Sequence, residues 1–442
     1  MYNPPDQVTN QKNEVPSIYG NVDFSVTPER FAGAPEDISE LDGLAPKVRA
    51  DLLQNDARMA KIRMYTMMGD VVADAYAALI PEHGFRKLVS MLETACDDGL
   101  DAVEDPPLEL IQMIESMEST PAWLSMDLVE QGARMERNEF ANFVPYAIRG
   151  TFLATFMNAY AALPMAMTGT LSNSSSAGRV KETANFFTTT VMPGALERHG
   201  AGFKAAAKVR LMHSMVRFNI MRTNRWDVGV YGTPIPQVDQ MPAGMVGMFF
   251  VSTKLLKQGR TEFNADERAK VELARFRCFL LGLPADLLAD DPQEIVDLML
   301  TRQATLRKSW DDDTCGELVR STVNAEVANE NLLRGPLRKR MELSLSKLLL
   351  VKNHCAGDYS VAKKMGVDIS TGDKIIGSLT ALVMFGRLYA YRFALNTPGL
   401  SGIADRHLIK KLTRLLKGYG RANFESNADQ YKPASGASAP AG

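Results

Sequence analysis

The chain has 442 residues, of which 45% are hydrophobic, and 50 basic and 52 acidic side chains give it a formal net charge of -2. This length allows one large domain or two to three ordinary ones, and the composition is that of a folded globular protein. Because the opposite charges are interspersed, the chain has no long-range field that would attract nucleic acid, and nucleic acid is not expected as a partner.

The cysteines and the first residues bear on the cellular compartment. The four cysteines lie far apart and form no CxxC pair, which excludes a zinc cluster and a CxxCH haem attachment. A reducing compartment is then the simpler assumption. The first residues show no basic start followed by an apolar core, so they carry no export signal. The sequence therefore predicts a cytoplasmic location.

The first half of the chain alternates between helical spacing and short interruptions. Residues 1–38 are rich in Pro, Asn and Gln, and they predict an extended or disordered arm. From Ala45 to Leu79 the spacing is helical, with Gly69 as the main breaker. The apolar run from Phe140 to Thr170 is interrupted by prolines, an arginine and a glycine, so a buried core helix is favoured over a membrane span.

The last third of the chain is also helical in pattern. The stretch Lys374–Leu395 is its most apolar segment, and two arginines make the uncharged run too short to span a membrane. We expect a core helix there, with a surface-binding amphipathic helix as the alternative. Residues 425–442 predict a disordered tail. Without strand alternation or a βαβ rhythm, the sequence predicts an all-α fold, with one large helical domain over 39–424.

A first helical segment near the middle of the chain has a mixed face. Charged, hydroxyl and aromatic side chains fall at i, i+3, i+4, i+7 and i+11, namely Arg179, Glu182, Thr183, Phe186 and Thr190. Arg179 and Glu182 can form an ion pair at i, i+3, which on a helix surface contributes only a few tenths of a kcal/mol.

The following helical segment carries a histidine between two arginines. One stripe holds Val209, Arg210, His213, Val216 and Arg217. None of the five histidines has a partner at i+4 and no ExxH occurs, so the usual helical zinc and di-iron sites are excluded. A single imidazole is what a haem needs on its proximal side, and the flanking arginines are spaced to meet propionates. The pattern alone still favours an ordinary core histidine.

Several runs resemble a known family. They are RVKETANFF, the PG that follows, KVRLMHSMVR and WDVGVYGTPIPQVD. They resemble the catalytic domain shared by latex-clearing rubber oxygenases and the membrane-bound oxygenase of mycophenolic acid biosynthesis. The interval of thirty residues between Thr183 and His213 matches the interval in that family between a distal threonine and the haem-binding histidine. The resemblance covers about 179–240 well and is weaker at 60–80 and 120–127.

The resemblance implies an all-α fold related to the globin fold with added helices, and haem b as the cofactor. It implies that His213 is the proximal iron ligand and that Arg179 and Thr183 lie on the distal side, where Phe186 shares their helix face. Arg210 and Arg217 remain candidates for the propionates. The implied activity is cleavage by O2 of a carbon–carbon double bond in a polyisoprene or prenyl chain.

One position departs from the family pattern. Rubber oxygenases have a distal lysine that can cap the iron, whereas this chain has Glu182, and Lys181 lies about 100° away around the helix. No acidic residue occurs between Glu139 and Glu182. We hypothesise that Glu182 either forms a hydrogen bond with dioxygen or removes an allylic proton. The alternative is that it only pairs with Arg179 to hold the haem edge.

The sequence thus predicts a haem b oxygenase that acts on an apolar alkene, such as a terpenoid, a lipid or an aromatic alkene. The 24 methionines either fill the core or line a site for an apolar ligand. The rival prediction is a helical haem-binding or ligand-binding protein without turnover, such as a sensor or a carrier. The sequence predicts no membrane span, leaves peripheral membrane contact open, and does not decide the oligomeric state.

Overall fold

The structure is a computed structural model. It describes residues 5–42, 46–168, 173–223, 225–325 and 335–420. Within these ranges the regular structure is helical, apart from two isolated bridges that join Phe31 to Leu306 and Ser39 to Arg307. The all-α prediction is confirmed.

The helices are numbered in chain order. They are α1 (Asp6–Glu14), α2 (Pro16–Tyr19), α3 (Pro46–Leu53), α4 (Asp56–Thr66), α5 (Val71–Ala77), α6 (Ile80–His83), α7 (Phe85–Asp97), α8 (Leu108–Glu118), α9 (Met126–Asn142), α10 (Val144–Phe152), α11 (Ala159–Met167), α12 (Asn173–Thr189), α13 (Ala201–Met221), α14 (Val228–Tyr231), α15 (Gln237–Lys257), α16 (Ala265–Leu280), α17 (Pro292–Thr305), α18 (Glu317–Val323), α19 (Gly335–His354), α20 (Tyr359–Lys364), α21 (Thr371–Leu395) and α22 (Ser401–Tyr419).

Local sequence signals explain where several of these helices begin. The Asp70 side chain caps α5, just after the predicted break at Gly69. A capping box formed by Asn264 and Glu267 starts α16, and a second one, formed by Ser370 and Asp373, starts α21. The starts of these three helices are therefore set by short-range hydrogen bonds.

The chain folds into two compact units. The first contains residues 1–132 and 194–308, and the second contains residues 133–193 and 309–442. The sequence predicted one domain over 39–424. Each unit is built from two stretches that are distant in sequence, which local periodicity cannot reveal.

The first unit is centred on α13, which buries side chains around its whole circumference. It packs against α5, α7 and α16, while α15 packs against α16 and α17. Many of the predicted core methionines are buried on these helices, including Met212, Met215, Met241 and Met245. This unit therefore supplies a closely packed, mostly apolar setting for His213.

The second unit has its main core between α11, α18, α19 and the turn Leu153–Phe156. Buried apolar side chains from these elements form one cluster, which includes Leu153, Phe156, Leu318 and Leu350. The helix α12 belongs to this unit, and its side chains Ala177 and Val180 pack against Ala325. One side of α12 is thus fixed by the core.

Three predicted segments differ from the structure. The predicted arm contains α1 and α2, and Gln11 and Tyr19 on them are buried, because both side chains find hydrogen-bond partners in the first unit. The predicted core helix over Phe140–Thr170 is broken into α10, a short turn and α11, since the Asn158 side chain caps a new helix start. No helix among the described residues is long and apolar enough to cross a membrane.

The third difference concerns α21, which was predicted to be a core helix. Only one narrow side of it is buried, at Asp373, Gly377, Thr380 and Met384. The opposite apolar side chains are exposed, because the neighbouring helix α19 covers α21 from one side only. The predicted tail over 425–442 lies outside the described residues.

Candidate functional site

His213 lies in the middle of α13 and is half-buried. Its Nδ1 atom is 3.3 Å from the Oε1 atom of Gln240, which lies on α15. The buried residues of α13 before and after His213 include apolar side chains and two arginines, and the contact to Gln240 connects the imidazole to α15.

The contact to Gln240 belongs to a chain of hydrogen bonds with a defined direction. The Nε2 group of Gln237 donates to the backbone oxygens of Gly69 and Gly282, at 3.1 Å each. Its Oε1 atom therefore accepts, and it does so from Nε2 of Gln240 at 2.9 Å. We call this chain the glutamine relay.

The glutamine relay determines the tautomer of His213. With its amide nitrogen used as a donor to Gln237, Gln240 presents an oxygen to His213, so Nδ1 must carry the proton. The lone pair of the neutral ring is then on Nε2. This is the state in which a histidine binds a metal, with its other nitrogen donating to an outer partner.

Arg210, one turn before His213, is held by a buried carboxylate. Its Nε and Nη2 atoms donate to the two oxygens of Asp70 at 2.5 and 2.9 Å, and its Nη1 donates to Ser116 Oγ at 2.8 Å. Both side chains of the ion pair are almost fully buried. The bidentate geometry makes this a strong, directional contact.

Arg217, one turn after His213, is also paired internally. Its Nη1 donates to Asp74, and its Nε and Nη2 donate to the backbone oxygens of Pro234 and Ile235 at 2.9 and 2.7 Å. The ion pair with Asp74 is completely buried. Burial, the largest single influence, lowers the pKa of Arg217, but the charges of Asp74, Tyr19 and Asp70 and the hydrogen bond to Asp74 together outweigh it and raise the pKa, so the guanidinium stays protonated.

Asp74 has a third partner in Tyr19, whose hydroxyl donates to Oδ2 at 2.5 Å. Burial, followed by the charge of Asp74, raises the pKa of Tyr19 well above its usual value, so the phenol keeps its proton. Gly69 allows these groups to meet. A Cβ atom there would lie 2.0 Å from the Tyr19 oxygen and 2.8 Å from Nε of Arg217.

The turn-rich motif before α15 places the glutamine relay. The Trp226 indole donates to Gly232 O at 2.7 Å, and Asp239 accepts from Arg30 and Arg302 at 2.7 and 2.8 Å. Ile235 has a φ of +46°, which β-branched residues rarely adopt. Its carbonyl is held by Arg217, so the strained turn is fixed by the same helix that carries His213.

The residues of the predicted distal face all lie on α12, in the second unit. Nη1 of Arg179 is 3.7 Å from Oε2 of Glu182, so the expected i, i+3 ion pair forms, and about a quarter of each side chain is exposed. Thr183 is half-buried, and Phe186 is buried and packs edge-on against Phe187. The expectation that these residues act together with His213 stays a prediction.

Sequence reasoning missed the carboxylates that pair with the two arginines. Asp70 and Asp74 stand four residues apart in an otherwise apolar run, which is a signal for buried charges that require partners. Their partners lie 140 and 143 positions away, so the sequence could not identify them. Among the described residues, no group of three or more His, Cys, Asp or Glu is arranged to hold a metal ion.

Comparison with known proteins identifies the family. A family model described as "ER-bound oxygenase mpaB/B'/Rubber oxygenase, catalytic domain" matches residues 140–374, somewhat more than half of the chain. The chain belongs to this family. The segment that matches the oxygenase domain contains α12, α13 and α15, and therefore the ion pair on α12, His213 and both glutamines of the relay.

A solved structure of latex clearing protein in the closed state has a similar fold. The two share 17% sequence identity with a TM-score of 0.54, and the match covers 80% of this chain and 91% of the other. At this identity the likeness supports the helical fold alone. No curated protein matches the chain.

Proposed function

We propose that this oxygenase-family protein binds haem b through Nε2 of His213 and oxidises or cleaves a carbon–carbon double bond of an apolar substrate. The observation that carries the proposal is the glutamine relay, which places the lone pair of His213 on Nε2. Haem requires one such imidazole from the protein, because the porphyrin provides the other four ligands.

The residues around His213 fit this cofactor. Nδ1–H donates to Gln240, and this outer contact fixes the ring orientation and increases the basicity of Nε2. Arg210 and Arg217 hold α13 through Asp70 and Asp74 on either side of the histidine. We propose that they position His213, and their predicted contact with propionates stays a prediction. Bound haem would supply the reaction with dioxygen.

We propose that residues of α12 provide the hydrogen bonding and proton transfer on the substrate side. Glu182 accepts an allylic proton from the substrate or holds a hydrogen-bonded proton near dioxygen, while Arg179 restrains its carboxylate. Thr183 offers a hydroxyl one helical position further on, and Phe186 gives the same face an aromatic wall. The family name and the buried methionines of the first unit support an apolar alkene as the substrate class.

The central test is the visible spectrum of wild-type protein beside His213→Ala after addition of haem. We expect a Soret band with an axial-histidine signature in the wild type, and loss of that signature and most of the bound haem in the variant. His199→Ala is the control, because His199 is an exposed histidine elsewhere in the first unit, whose Nδ1 contacts Cys96 O. Equal haem content and spectra for wild type and His213→Ala would overturn the assignment.

A haem sensor or carrier without turnover is the second candidate. The observation that favours it is the ion pair of Glu182 with Arg179. Glu182 stands at the position where the family resemblance has a lysine, and the ion pair engages its carboxylate. The two candidates differ in oxygen consumption by the reduced, haem-loaded protein when alkenes are added. Substrate-dependent consumption with carbonyl products supports the oxygenase, and stable binding of oxygen without consumption supports the sensor.

A further inference from the structure

The helix α21 has a long apolar face that the rest of the protein leaves uncovered. The exposed fractions are 57% for Ile375, 57% for Leu379, 69% for Leu382, 67% for Tyr389 and 70% for Phe393. These positions lie within about 80° of one another around the helix, at 100° per residue. They extend over about 27 Å at 1.5 Å per residue.

The opposite face of α21 is already used for packing. Gly377, Thr380 and Met384 are buried, and α21 packs against α19 on this side. A Cβ atom on Gly377 would lie 2.5 Å from the Leu348 side chain, so the two helices are in close contact. The exposed apolar face therefore lies opposite the side that α19 covers, and an apolar helix face of this size is ordinarily covered.

Basic side chains flank the exposed apolar face. On α21 they are Lys374, Arg387 and Arg392, and all three are exposed. The helix α22 packs against α21 and adds an exposed row at i, i+4, i+8 and i+11, consisting of Arg406, Lys410, Arg414 and Lys417. Between Thr371 and Tyr419 there are eight Lys or Arg and two Asp, a formal charge of +6 in a chain whose net charge is -2.

The two acidic residues of this segment do not offset the exposed charge. Asp373 is buried and bound to Lys347 and Ser370. Asp405 accepts two hydrogen bonds from Arg137. The exposed part of α21 and α22 thus combines large apolar side chains with positive charge, and carries no exposed carboxylate of its own.

We propose that α21 and α22 form a docking surface for an anionic lipid membrane, on which α21 lies parallel to the surface. An apolar face with aromatic and leucine side chains, flanked by Lys and Arg, is the pattern of helices that bind in the interfacial plane. Each basic side chain near an anionic leaflet adds to this attraction. Apart from Lys374, the side chains that carry the proposal lie beyond the family match, and the proposal does not depend on haem.

The charge distribution argues against the other occupants of this face. A second copy would bring two surfaces of +6 together, which costs energy at ordinary ionic strength. The residues 421–442 contain few large apolar side chains, with one phenylalanine and one tyrosine, and so cannot match a face of this length. Anionic lipid satisfies both the apolar and the electrostatic requirement.

The test is flotation of the full-length protein with vesicles of phosphatidylcholine alone or with phosphatidylserine added. We expect binding to the anionic vesicles, little binding to the neutral ones, and weaker binding at high salt. Leu382→Glu and Phe393→Glu should each reduce the partition coefficient about tenfold or more, because they place a charge in the apolar face. Far-UV circular dichroism would verify that both variants fold.

Phe250→Glu is the matched control, because Phe250 on α15 is 64% exposed in the other unit. It should bind the anionic vesicles as the wild type does. The proposal is overturned if the wild type binds neither kind of vesicle, or if the α21 variants and the control bind equally. It is also overturned if light scattering shows a wild-type dimer that Leu382→Glu dissociates, since a second copy would then cover the face.

Discussion

The donor and acceptor order around His213 is set by two backbone carbonyls. Gly69 O and Gly282 O accept from Gln237, and this direction is passed through Gln240 to the imidazole. A glutamine side chain can rotate by 180° at small cost in water, but here the reversed orientation would place Oε1 of Gln237 against two carbonyl oxygens. The tautomer of His213 is therefore a consequence of backbone geometry.

Replacing Gln240 should disturb both the tautomer and the cofactor. In haem-free protein, nitrogen-15 NMR of the imidazoles should show the proton of His213 on Nδ1 in the wild type and a shift toward the other tautomer in Gln240→Met. In haem-loaded protein, the same variant should lose haem to an acceptor protein roughly 10- to 100-fold faster, because the outer contact to the ligand is gone.

The NMR measurement tests whether the glutamine relay sets the tautomer of His213, and the haem-loss measurement tests the proposed function. Gln240→Glu keeps an acceptor and should retain the Nδ1 proton. If Gln240→Met leaves the NMR signals unchanged, the relay does not set the tautomer. If the tautomer changes but neither variant nor wild type takes up haem, the relay stands and the proposed function fails.

Glu182 is the residue on α12 to which we assign a proton-transfer role. If it acts as a base, Glu182→Gln should lower kcat on a confirmed alkene roughly 10²- to 10⁴-fold with haem content unchanged, since an amide cannot accept the proton. Lys181→Gln changes the charge at the adjacent position on a different side of the helix and should leave kcat near the wild-type value. Equal turnover in Glu182→Gln and wild type would leave the carboxylate with only a structural role.

At the scale of elements, two buried ion pairs connect α13 to the short helix α5 and its N-cap residue. Asp74 lies on α5 and Asp70 is its N-cap, and the two carboxylates hold Arg217 and Arg210 on either side of His213. A helix held at two points one turn above and below a ligand has little freedom to rotate. This gives buried charges a positioning role, since such pairs add little net stability by themselves.

Breaking one of these pairs should be costly, and removing both partners should restore much of the loss. Asp74→Ala leaves the Arg217 cation buried without its carboxylate and should lower the free energy of unfolding by about 3–5 kcal/mol. The double variant Asp74→Ala with Arg217→Met should recover a substantial part of that loss. Urea denaturation measures both, and a double variant no more stable than the single one would refute this explanation.

The start of α21 carries a carboxylate that links it to α19. Asp373 accepts from Lys347 at 3.0 Å and from Ser344 at 3.0 Å, in addition to its bonds with Ser370. Burial alone would raise the pKa of Asp373, but the hydrogen bonds from Ser370 and Lys347 lower it to about 2. The folded state therefore stabilises the ionised form.

This depressed pKa predicts a loss of stability in acid. The unfolded pKa of an aspartate is about 3.9, so the contribution of Asp373 is fully present above that value and is lost as the pH falls through about 2. The difference corresponds to about 2–3 kcal/mol. Asp373→Asn should be less stable than wild type by about this amount at pH 6, and the gap should narrow toward pH 2 in denaturation curves. A gap independent of pH would contradict the assignment.

At the scale of the whole molecule, the family segment draws residues from both compact units. Residues 140–193 and 309–374 belong to the second unit, and residues 194–308 to the first. The α12 and α13 faces that the sequence singled out are therefore part of different units, each with its own core. The single domain over 39–424 stays a prediction, and local spacing could not reveal the two units, because each is assembled from stretches far apart in the chain.

Much of the helical structure could be predicted from local spacing. The predicted break at Gly69 separates α4 from α5, and the helical pattern of the last third of the chain is matched by helices there. The hydrophobic pattern gave wrong predictions where contacts between distant segments determine helix formation or burial. The polar N-terminal region is helical, and its residues Gln11 and Tyr19 form hydrogen bonds with buried partners. The most apolar late segment, α21, has one face exposed.

The sequence by itself determined which residues share a helix face, because helical periodicity depends only on neighbours within a few positions. It therefore placed Arg179 beside Glu182 on α12, and His213 between Arg210 and Arg217 on α13. Only the tertiary structure decided what those side chains do there. The partners of both arginines and of His213 come from other helices, at separations of up to 143 residues, and they set the charge and the tautomer of the site.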